Sequence, residues 1–348
     1  MTQGLASATY EVANIAEAIE FYFDKGWTDG LPVVPPTADA VRAGLDVSGL
    51  EPGHELGTEP VRGRVLTAEK VAVNAVMAGC LAAHVPVVMT AVEAMLEEQF
   101  LLHGATASTG GCAVLAIING PIVSEFGMDP TFNVLGNGDR AAAVIGRAIR
   151  LVLMNLLDVR PGRIDRSTLG HPGKFSYAMA EDEERDNALW PSLAAQRGVP
   201  DGESCVTVFA AMSPRQLMNE WTRDPSEVAD TFASEMRANM LNYSIWGGNY
   251  VVVVPRQLRG VFSDGGWGKA ELADALFERA RIHRRDWRSA GKSAVVSERN
   301  EDTEYRALRK PEDLLAVGGG GPAGGFGAVI APWLGYRSRA VTRVINRP

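Results

Sequence analysis

The chain has 348 residues, of which 46% are hydrophobic and 22% are charged, and its formal net charge at pH 7 is −8. These values are typical of a globular protein and exclude an intrinsically disordered chain. The negative charge argues against non-specific nucleic-acid binding, which needs a basic surface to displace phosphate counterions. Three cysteines without a Cys-x-x-Cys pair predict neither a disulfide scaffold nor a zinc knuckle.

The location predicted from the sequence is cytoplasmic. The first eleven residues lack a basic stretch followed by an apolar run, so no signal peptide is predicted. The uncharged run 71–92 is long enough to raise the question of a membrane span. Asn74, His84 and Pro86 interrupt this run, which favours two buried helices meeting at Pro86 and no membrane partner.

The first half of the chain predicts helices around a buried strand. The predicted bounds are 10–25 for an amphipathic helix, 26–37 for an extended Gly- and Pro-rich loop, 38–45, 68–82 and 86–100 for three helices, 113–118 for the strand and 140–157 for a long apolar helix. Thr37, Thr67 and Asp139 are the predicted N-caps of three of these helices. The same bounds place Cys80 in the last turn of a helix. Residues 161–200 have an irregular pattern and predict a long loop region.

The second half of the chain alternates strands and helices. The predicted bounds are 205–211 for a strand, a helix start at Ser213-Pro214, 226–240 for a helix, 250–254 for a strand, 270–284 for a helix, and 314–317 and 328–330 for two strands. This alternation predicts an α/β fold with a mixed two-lobed architecture. Buried helices dominate the N-terminal lobe, 1–200, which carries the candidate site, and an alternating α/β lobe covers 201–348.

A glycine-rich segment follows the predicted strand 314–317 and contains Gly319-x-Gly321-x-x-Gly324. A dinucleotide-binding loop needs a helix directly after such glycines, because the helix amino end holds the pyrophosphate. Here an apolar strand follows, so no dinucleotide site is predicted.

Cys80 and His84 are the leading candidate catalytic residues, four positions apart at the junction of two predicted helices. A neighbouring imidazole and a helix amino terminus both favour thiolate over thiol and lower the pKa of a cysteine. We predict that Cys80 acts as nucleophile or acid/base and that His84 tunes it. The alternative is a small buried cysteine in a helix-packing seam, with His84 only capping the second helix.

Cys112 is a second candidate thiol, placed after two glycines at the start of a predicted strand. Glycines there allow close backbone approach and expose amide donors to an oxyanion. A strand-start cysteine without chemistry is the favoured alternative. A metal site made of Cys80, His84 and His103 is a further alternative, but their gaps match no tight zinc spacing. No metal is therefore assigned, and the cofactor is unknown.

Three arginines lie on the predicted helix 140–157, which is otherwise almost entirely apolar. Arg140, Arg147 and Arg150 can share one face, where they are costly unless they are paired or bind an anion. Arginine also suits bidentate recognition of a carboxylate. We predict Arg147 as a substrate-binding residue, and the alternative is pairing with the acidic run 181–184 or with a partner subunit.

Three further residues are predicted to bind the negative charge of a substrate. His171 and Lys174 belong to the loop Gly170-His171-Pro172-Gly173-Lys174 in the irregular segment. Lys269 stands at a predicted helix start after a glycine-rich turn, where a solvated lysine is the alternative.

Several stretches together resemble an uncharacterised bacterial family with the motif Gly-Trp-x-Asp-Gly-Leu-Pro-Val-x-Pro-Pro-Thr, which here occupies 26–37. The other stretches are Ala78-Gly79-Cys80 with His84-x-Pro86-Val87-Val88, Asn119-Gly120-Pro121-Ile122, Ile145-Gly146-Arg147-Ala148-x-Arg150-Leu151, Gly170-His171-Pro172-Gly173-Lys174, Gly266-Trp267-x-Lys269 and Val341-Thr342-Arg343. The resemblance covers nearly the whole chain and includes Cys80. The sequence departs from the family pattern at Ala82-Ala83, where Pro-Glu is expected, so the resemblance implies no carboxylate beside Cys80.

The resemblance implies a partner and no particular reaction. Such proteins resemble partners of small (seleno)cysteine proteins that carry a U/C-Gly-Ser-Cys (UGSC) motif. This chain lacks that motif, so a redox role would need a second polypeptide.

The leading hypothesis is a small-metabolite enzyme, a hydrolase or lyase, acting on a polar or anionic substrate. Its activated cysteine, Cys80, would serve hydrolysis, elimination or thiol-dependent group transfer. The alternatives are a non-catalytic subunit that binds a thiol or selenol protein, and a Cys/His metalloenzyme. Charged residues on buried-looking helices also favour a homo-oligomer.

Overall fold

The structure is a computed structural model that describes residues 4–184, 188–243 and 245–347. It has the predicted α/β fold, with helices packed on a curled mixed sheet. The helices are α1 (Ile15–Asp24), α2 (Ala38–Ser48), α3 (Ala68–Ala78), α4 (Val85–Leu96), α5 (Leu102–Ala107), α6 (Ile122–Glu125), α7 (Arg140–Leu157), α8 (Leu193–Gln196), α9 (Pro225–Asn242), α10 (Arg256–Asp264) and α11 (Lys269–Arg279). The strands are β1 (Glu55–Glu59), β2 (Arg64–Thr67), β3 (Ala113–Asn119), β4 (Ala178–Ala180), β5 (Cys205–Met218), β6 (Tyr250–Val254), β7 (Arg281–His283), β8 (Glu304–Arg306), β9 (Leu314–Gly318), β10 (Phe326–Pro332) and β11 (Val341–Val344). Short 3₁₀ turns lie at Ala82–His84, Glu98–Phe100, Pro172–Lys174, Arg284–Arg288, Ser293–Val295, Pro311–Asp313 and Gly335–Arg337.

The central sheet has the strand order β4-β3-β5-β10-β6-β9, and β11 also pairs with β5. Strand β5 is the longest because it has different partners along its length. Its first half pairs with β3 on one edge and with β11 on the other, and its second half pairs with β10. The β3–β4 and β6–β9 pairs are parallel, and the pairs of β5 and β10 are antiparallel. Two antiparallel two-stranded sheets, β1–β2 and β7–β8, lie outside this sheet.

The predicted helix start at Ser213-Pro214 is wrong, because β5 continues through both residues to Met218. Pro214 lies opposite Ile330 of β10, and β3 stops pairing with β5 at Ala211. A proline lacks an N–H and is tolerated in a strand where one edge needs no donor. Pairing with the distant β10 therefore overrides the local helix-start pattern.

Alternate residues of the sheet face two different cores. In β3, Ala116 and Ile118 pack under the first-half helices, while Leu115 and Ile117 point to the opposite face. This alternation follows from the two-residue period of a strand. The first face is covered by α2, α3, α4 and α7, which supply mainly alanine and valine side chains.

The second half repeats this arrangement with α9, α10 and α11. In β6, Val252 and Val254 pack under these helices, while Val251 and Val253 join Leu115 and Ile117 in the core on the other face. Strands from both sides of residue 200 thus share one sheet and one core. The division into lobes at 200/201 stays a prediction.

Helix ends in the first half set the position of the candidate cysteine. The Thr37 and Asp139 side chains cap α2 and α7 as predicted, and α7 has the predicted bounds 140–157. Thr67 precedes α3 but makes no side-chain cap. Helix α3 ends at Ala78, because Gly79 adopts the left-handed conformation (φ 99°) that closes a helix. Cys80 therefore lies beyond the helix, and its predicted place in the last turn is wrong.

None of the helices in the described ranges is long and apolar enough to cross a membrane.

Candidate functional site

Two glycine-containing loops meet at the amino end of β3. Gly111 has φ 77°, and a Cβ atom built on it would lie 2.9 Å from the backbone N of Gly170. The Thr168 N–H donates to the Thr109 carbonyl at 3.1 Å beside this contact. Glycine is needed at 111 both for the conformation and for the close approach. This contact joins the segment before Cys112 to the loop that carries Lys174.

A narrow cavity of about 30 Å³ lies where these loops meet α7. Cys112, Arg150 and Lys174 line it together with apolar side chains of α7, among them Ile149 and Leu153. At roughly 10–15 Å³ for each water, the cavity has room for about two water molecules or one small ligand group. A thiol and two cationic side chains therefore border the same cavity.

The buried carboxylate of Asp165 ties the two cations together. Arg150 Nη2 donates to Asp165 Oδ2 at 3.1 Å, and Lys174 Nζ donates to the same oxygen at 2.6 Å. The other oxygen accepts from Ser167 Oγ at 2.5 Å and Ser167 N at 3.1 Å. Lys174 Nζ also donates to Ser167 Oγ at 2.6 Å. Four hydrogen bonds thus fix the Asp165 side chain, which is only 3% exposed.

These contacts set the protonation states at the cavity. Burial alone would raise the pKa of Asp165, but hydrogen bonds from Lys174 and Ser167 outweigh it and hold the pKa at about 2. Burial raises the pKa of Cys112 to about 12, and the nearby Lys174 opposes that rise only in part. The Cys112 thiol donates to the Ala105 carbonyl at 3.2 Å. At neutral pH the site therefore holds a carboxylate, two cations and a protonated thiol.

Aromatic residues pack beside the Cys112 loop. The Tyr243 hydroxyl lies 2.6 Å from the position that a Cβ on Gly110 would take. The Trp333 indole N–H donates to Ser108 Oγ at 2.7 Å. Burial, together with the nearby Cys112, raises the pKa of Tyr243 to about 12. The aromatic side chains thus hold the Cys112 loop in place.

Cys80 and His84 lie in a different environment. The Cys80 thiol is buried and donates to the Val144 carbonyl at 3.6 Å, and burial raises the pKa of this thiol well above its ordinary value. His84 Nδ1 accepts from the Leu81 N–H at 3.3 Å, and its ring packs edge-on against Phe126 at 4.7 Å between centroids. Within residues 4–184 no hydrogen bond joins the two side chains. The sequence predicted that His84 and a helix amino terminus would lower the pKa of Cys80. The pKa is raised instead, because burial has the larger effect.

Arg147 binds the Gly- and Pro-rich loop 26–37. Its guanidinium binds the Asp29 carboxylate with two hydrogen bonds of 2.8 and 2.9 Å, and it also donates to the Leu31 and Pro32 carbonyls. Burial alone would raise the pKa of Asp29, but Arg147 outweighs it and lowers that pKa. The arginine fastens the loop to α7 and does not line the cavity.

His171 and Lys174 leave their shared loop towards opposite faces of the sheet. Lys174 lines the cavity beside α7. His171 packs edge-on against Tyr177, and its Nε2 lies 3.3 Å from the Ala211 carbonyl oxygen, within the core of the other face. Burial lowers the pKa of His171. The structure thus separates the two members of the motif.

Lys269 lies in a second buried network. Its Nζ donates to Glu181 Oε1 at 2.8 Å, and both side chains are 2% exposed. Glu181 also accepts from Asn119 Nδ2 at 2.6 Å, Leu193 N at 2.6 Å and Gly318 N at 3.3 Å. Lysine and carboxylate are both enclosed, so Lys269 has no opening towards a ligand.

The acidic run 181–184 pairs with the second half of the chain. Asp182 accepts two hydrogen bonds from Arg256 and a further one from Arg259, and Arg259 also pairs with Glu184 at 2.8 Å. The predicted alternative, pairing with the arginines of α7, is therefore wrong for Arg147 and Arg150. Arg140 instead donates to the Gly79 carbonyl at 2.8 Å.

Of the six predicted site residues, Lys174 alone lines the cavity. Asp165 and Ser167 join the site without having been predicted. Asp165 is an isolated acid in an irregular segment, and its partners stand 15 and 9 positions away. The sequence offered one indication, the cost of Arg150 on an apolar helix, which called for an acidic partner or a bound anion.

Within the described parts of the chain, no group of three or more His, Cys, Asp or Glu residues is arranged to hold a metal ion. In comparisons with known proteins, the chain matches no family model and no curated protein. The resemblance to a bacterial family with a UGSC partner therefore stays a prediction.

Proposed function

We propose that this protein is an enzyme that binds a small anion in the Cys112 cavity and uses the Cys112 thiol in the chemical step. The observation that carries the proposal is the joint lining of one cavity by Cys112, Arg150 and Lys174. This keeps the thiol-dependent reaction on an anionic substrate predicted from the sequence. It moves the reacting thiol from Cys80 to Cys112.

The charges favour a hydrogen-bond donor over a nucleophile. Forming a thiolate at neutral pH from a thiol with a pKa of about 12 costs roughly 7 kcal/mol. A bound anion would add to that cost, since a thiolate would then be a second buried negative charge. Giving the proton away has the same cost, so the thiol stays protonated and donates a hydrogen bond to negative charge that develops on the substrate. This role serves hydrolysis, elimination or group transfer, and a covalent thiol intermediate is disfavoured.

The test compares two cysteine variants. Wild type, Cys112→Ala and Cys80→Ala would be incubated with small carboxylates and sulfonates, and substrate loss followed by NMR. Loss of a hydrogen-bond donor to developing charge typically lowers the rate by about 10²–10³-fold, so we expect such a loss in Cys112→Ala and near-wild-type turnover in Cys80→Ala. Full turnover in Cys112→Ala would refute the assignment of Cys112. Loss of turnover in Cys80→Ala alone would restore the Cys80 hypothesis.

A second candidate function is the non-catalytic subunit that binds a thiol or selenol protein. The observation that favours it is a pair of exposed apolar side chains on the Lys174 loop. Leu169 is 95% exposed and Phe175 is 55% exposed. We expect the double variant Leu169→Ser/Phe175→Ser to lose a stoichiometric partner during purification. Val61→Ser in the β1–β2 turn, where Val61 is 62% exposed, is the matched control. Purification from the native host without a second chain would contradict this candidate.

The proposed setting is a reducing cytoplasm. Cys80, Cys112 and Cys205 are all free thiols, which is typical of proteins in a reducing compartment. Self-association into a homo-oligomer stays part of the proposal, and sedimentation velocity would test it.

A further inference from the structure

The cavity at Cys112 carries one net positive charge. Arg150 and Lys174 share one carboxylate, that of Asp165. The neighbouring pair on α7, Arg147 with Asp29, neutralises itself. Cys112 adds no charge at neutral pH, because burial raises the pKa of its thiol to about 12. The site is therefore one negative charge short of neutrality.

Both cations keep donors for a ligand. A lysine ammonium has three N–H donors, and Lys174 uses two of them on Asp165 and Ser167. An arginine guanidinium has five, and within the described residues Arg150 makes one hydrogen bond, to Asp165. The Lys174 and Arg150 side chains are 17% and 12% exposed. Donors and positive charge thus border the cavity with limited access to water.

Asp165 fixes this charge. Four hydrogen bonds from described residues hold the carboxylate in one orientation. Its pKa of about 2, which Lys174 and Ser167 hold down against burial, keeps it ionised at ordinary pH. Without this carboxylate the cavity would carry two positive charges. A small volume and limited solvent access make the balance of charge decisive for what can bind.

We infer that Asp165 is the residue that sets the charge class of the substrate, so that the cavity accepts a group with a single negative charge and rejects a doubly charged one. This inference rests on the proposed anion-binding function and names its substrate class. A single carboxylate or sulfonate would complete neutrality and accept from Arg150 and Lys174. A dianion would bury a second charge without a counter-charge. The substrate class is therefore a small monoanion, such as a monocarboxylic acid.

The test uses two anions of the same shape and different charge. Methanesulfonate and sulfate are both tetrahedral with five heavy atoms, and they carry one and two negative charges. Their dissociation constants would be measured by calorimetric titration at pH 7 and constant ionic strength, with formate as a smaller monoanion. The proteins are wild type, Asp165→Asn and the control Asp158→Asn. Asp158 pairs with Arg160 and Arg163 at a partly exposed site.

We expect wild type and Asp158→Asn to bind methanesulfonate at least about tenfold more tightly than sulfate, since burying the second charge of sulfate without a counter-charge costs at least about 1.4 kcal/mol, the equivalent of a tenfold ratio. Asp165→Asn raises the net charge to two and should erase or reverse that ratio. An unchanged ratio in Asp165→Asn, with binding retained, overturns the role of Asp165 and leaves the anion site intact.

The remaining outcomes separate the inference from the proposed function. Absence of formate and methanesulfonate binding to wild type overturns both. If Asp165→Asn does not fold, wild type alone still decides, because tighter binding of sulfate than of methanesulfonate contradicts the inference. Lys174→Gln lowers the net charge to zero and should weaken the binding of both anions. If Lys174→Gln binds both anions as tightly as wild type does, the inference is also overturned.

Discussion

Asp165 and Glu181 are both buried carboxylates that hold a lysine, yet the two regions differ in access and in charge. Glu181 receives Lys269, a side-chain amide and two backbone N–H groups, and both charged side chains are 2% exposed. Asp165 receives Lys174 and Arg150 beside a cavity that also contains a thiol. One region is enclosed, and the other has a surplus positive charge next to an open volume.

This contrast shows why residue type alone does not separate a structural ion pair from a binding site. Lys174 and Lys269 were both predicted to bind substrate, and both make a short hydrogen bond to a carboxylate. They differ in the number of cations that share the carboxylate, which is two at Asp165 and one at Glu181, and in the cavity beside Lys174. Both Cys112 and Cys80 donate to a backbone carbonyl, but only Cys112 of the two lines a cavity together with cations.

The largest expected effect comes from removing the enclosed lysine. Lys269→Met leaves the Glu181 carboxylate without its cation, and breaking a buried pair in this way costs about 3–5 kcal/mol of unfolding free energy. Lys174→Met should cost clearly less, because Asp165 keeps Arg150 and Ser167. Urea unfolding of both variants measures the difference. Equal losses would show that the two regions are energetically alike.

The next effect tests the contact between the two loops of the site. Gly111→Ala places a Cβ against the Gly170 backbone in a left-handed conformation. Gly63→Ala is the matched control, since Gly63 has φ 64° and nothing within 4 Å of its Cβ position. Left-handed strain costs each variant about 1–2 kcal/mol, and the backbone clash should add at least about 1 kcal/mol at position 111. Urea unfolding gives both values, and equal losses would contradict the loop contact.

The pH dependence of stability should reveal the Asp165 carboxylate. Its pKa is about 2 in the fold, held down by Lys174 and Ser167, against an ordinary value of 3.8. The ionised form therefore stabilises the fold by on the order of 2 kcal/mol above pH 5. This stabilisation disappears as the pH falls through 3.8 to about 2, and about half of it is lost by pH 3. Urea unfolding should show a larger difference in unfolding free energy between wild type and Asp165→Asn at pH 7 than at pH 3.

If this difference in unfolding free energy does not change with pH, the pKa of Asp165 is not lowered in the folded protein. Direct titration of its carboxyl carbon by NMR provides the independent value.

The smallest effect concerns the loop 26–37. Arg147→Lys replaces the two-pronged contact with Asp29 by a single one, and we expect a loss of about 1–2 kcal/mol in unfolding free energy. Arg163→Lys is the control, because the Arg163 side chain is 68% exposed and its pairing with Asp158 contributes little. Faster proteolysis within 26–37 should accompany the loss in Arg147→Lys. No difference between the two variants would show that Arg147 does not fasten the loop.

Local patterns predicted much of the fold. Helix α7 has its predicted bounds because an N-cap precedes an almost entirely apolar segment, and the continuous valines of β6 predict a buried strand in the same way. The pattern failed at Ser213-Pro214, where the partner strand β10 lies more than a hundred residues away. Pairing between distant segments has no signature in the residues at either position alone.

The site was predictable only in part, for the same reason. Lys174 stood in a distinctive motif, and Arg150 was noticeable on its apolar helix. Asp165 carried no pattern of its own, and the contact between Gly111 and Gly170 joins loops that are distant in the sequence. The apolar run 71–92 indicated buried helices around Cys80, but it did not show that burial would outweigh the neighbouring groups in setting the pKa of that thiol.

The most direct test follows the alkylation of all three cysteines by iodoacetamide at alkaline pH, with and without formate, in one peptide-mapping experiment. Formate bound in the cavity would disfavour the Cys112 thiolate, because that thiolate would be a second buried negative charge, and it would also block the reagent. We predict that formate slows the labelling of Cys112 in a saturable manner, leaves the labelling of Cys80 and Cys205 unchanged, and no longer protects Cys112 in Lys174→Met. Labelling of Cys112 that formate does not change, or protection of Cys80 instead, would contradict an anion-binding cavity at Cys112.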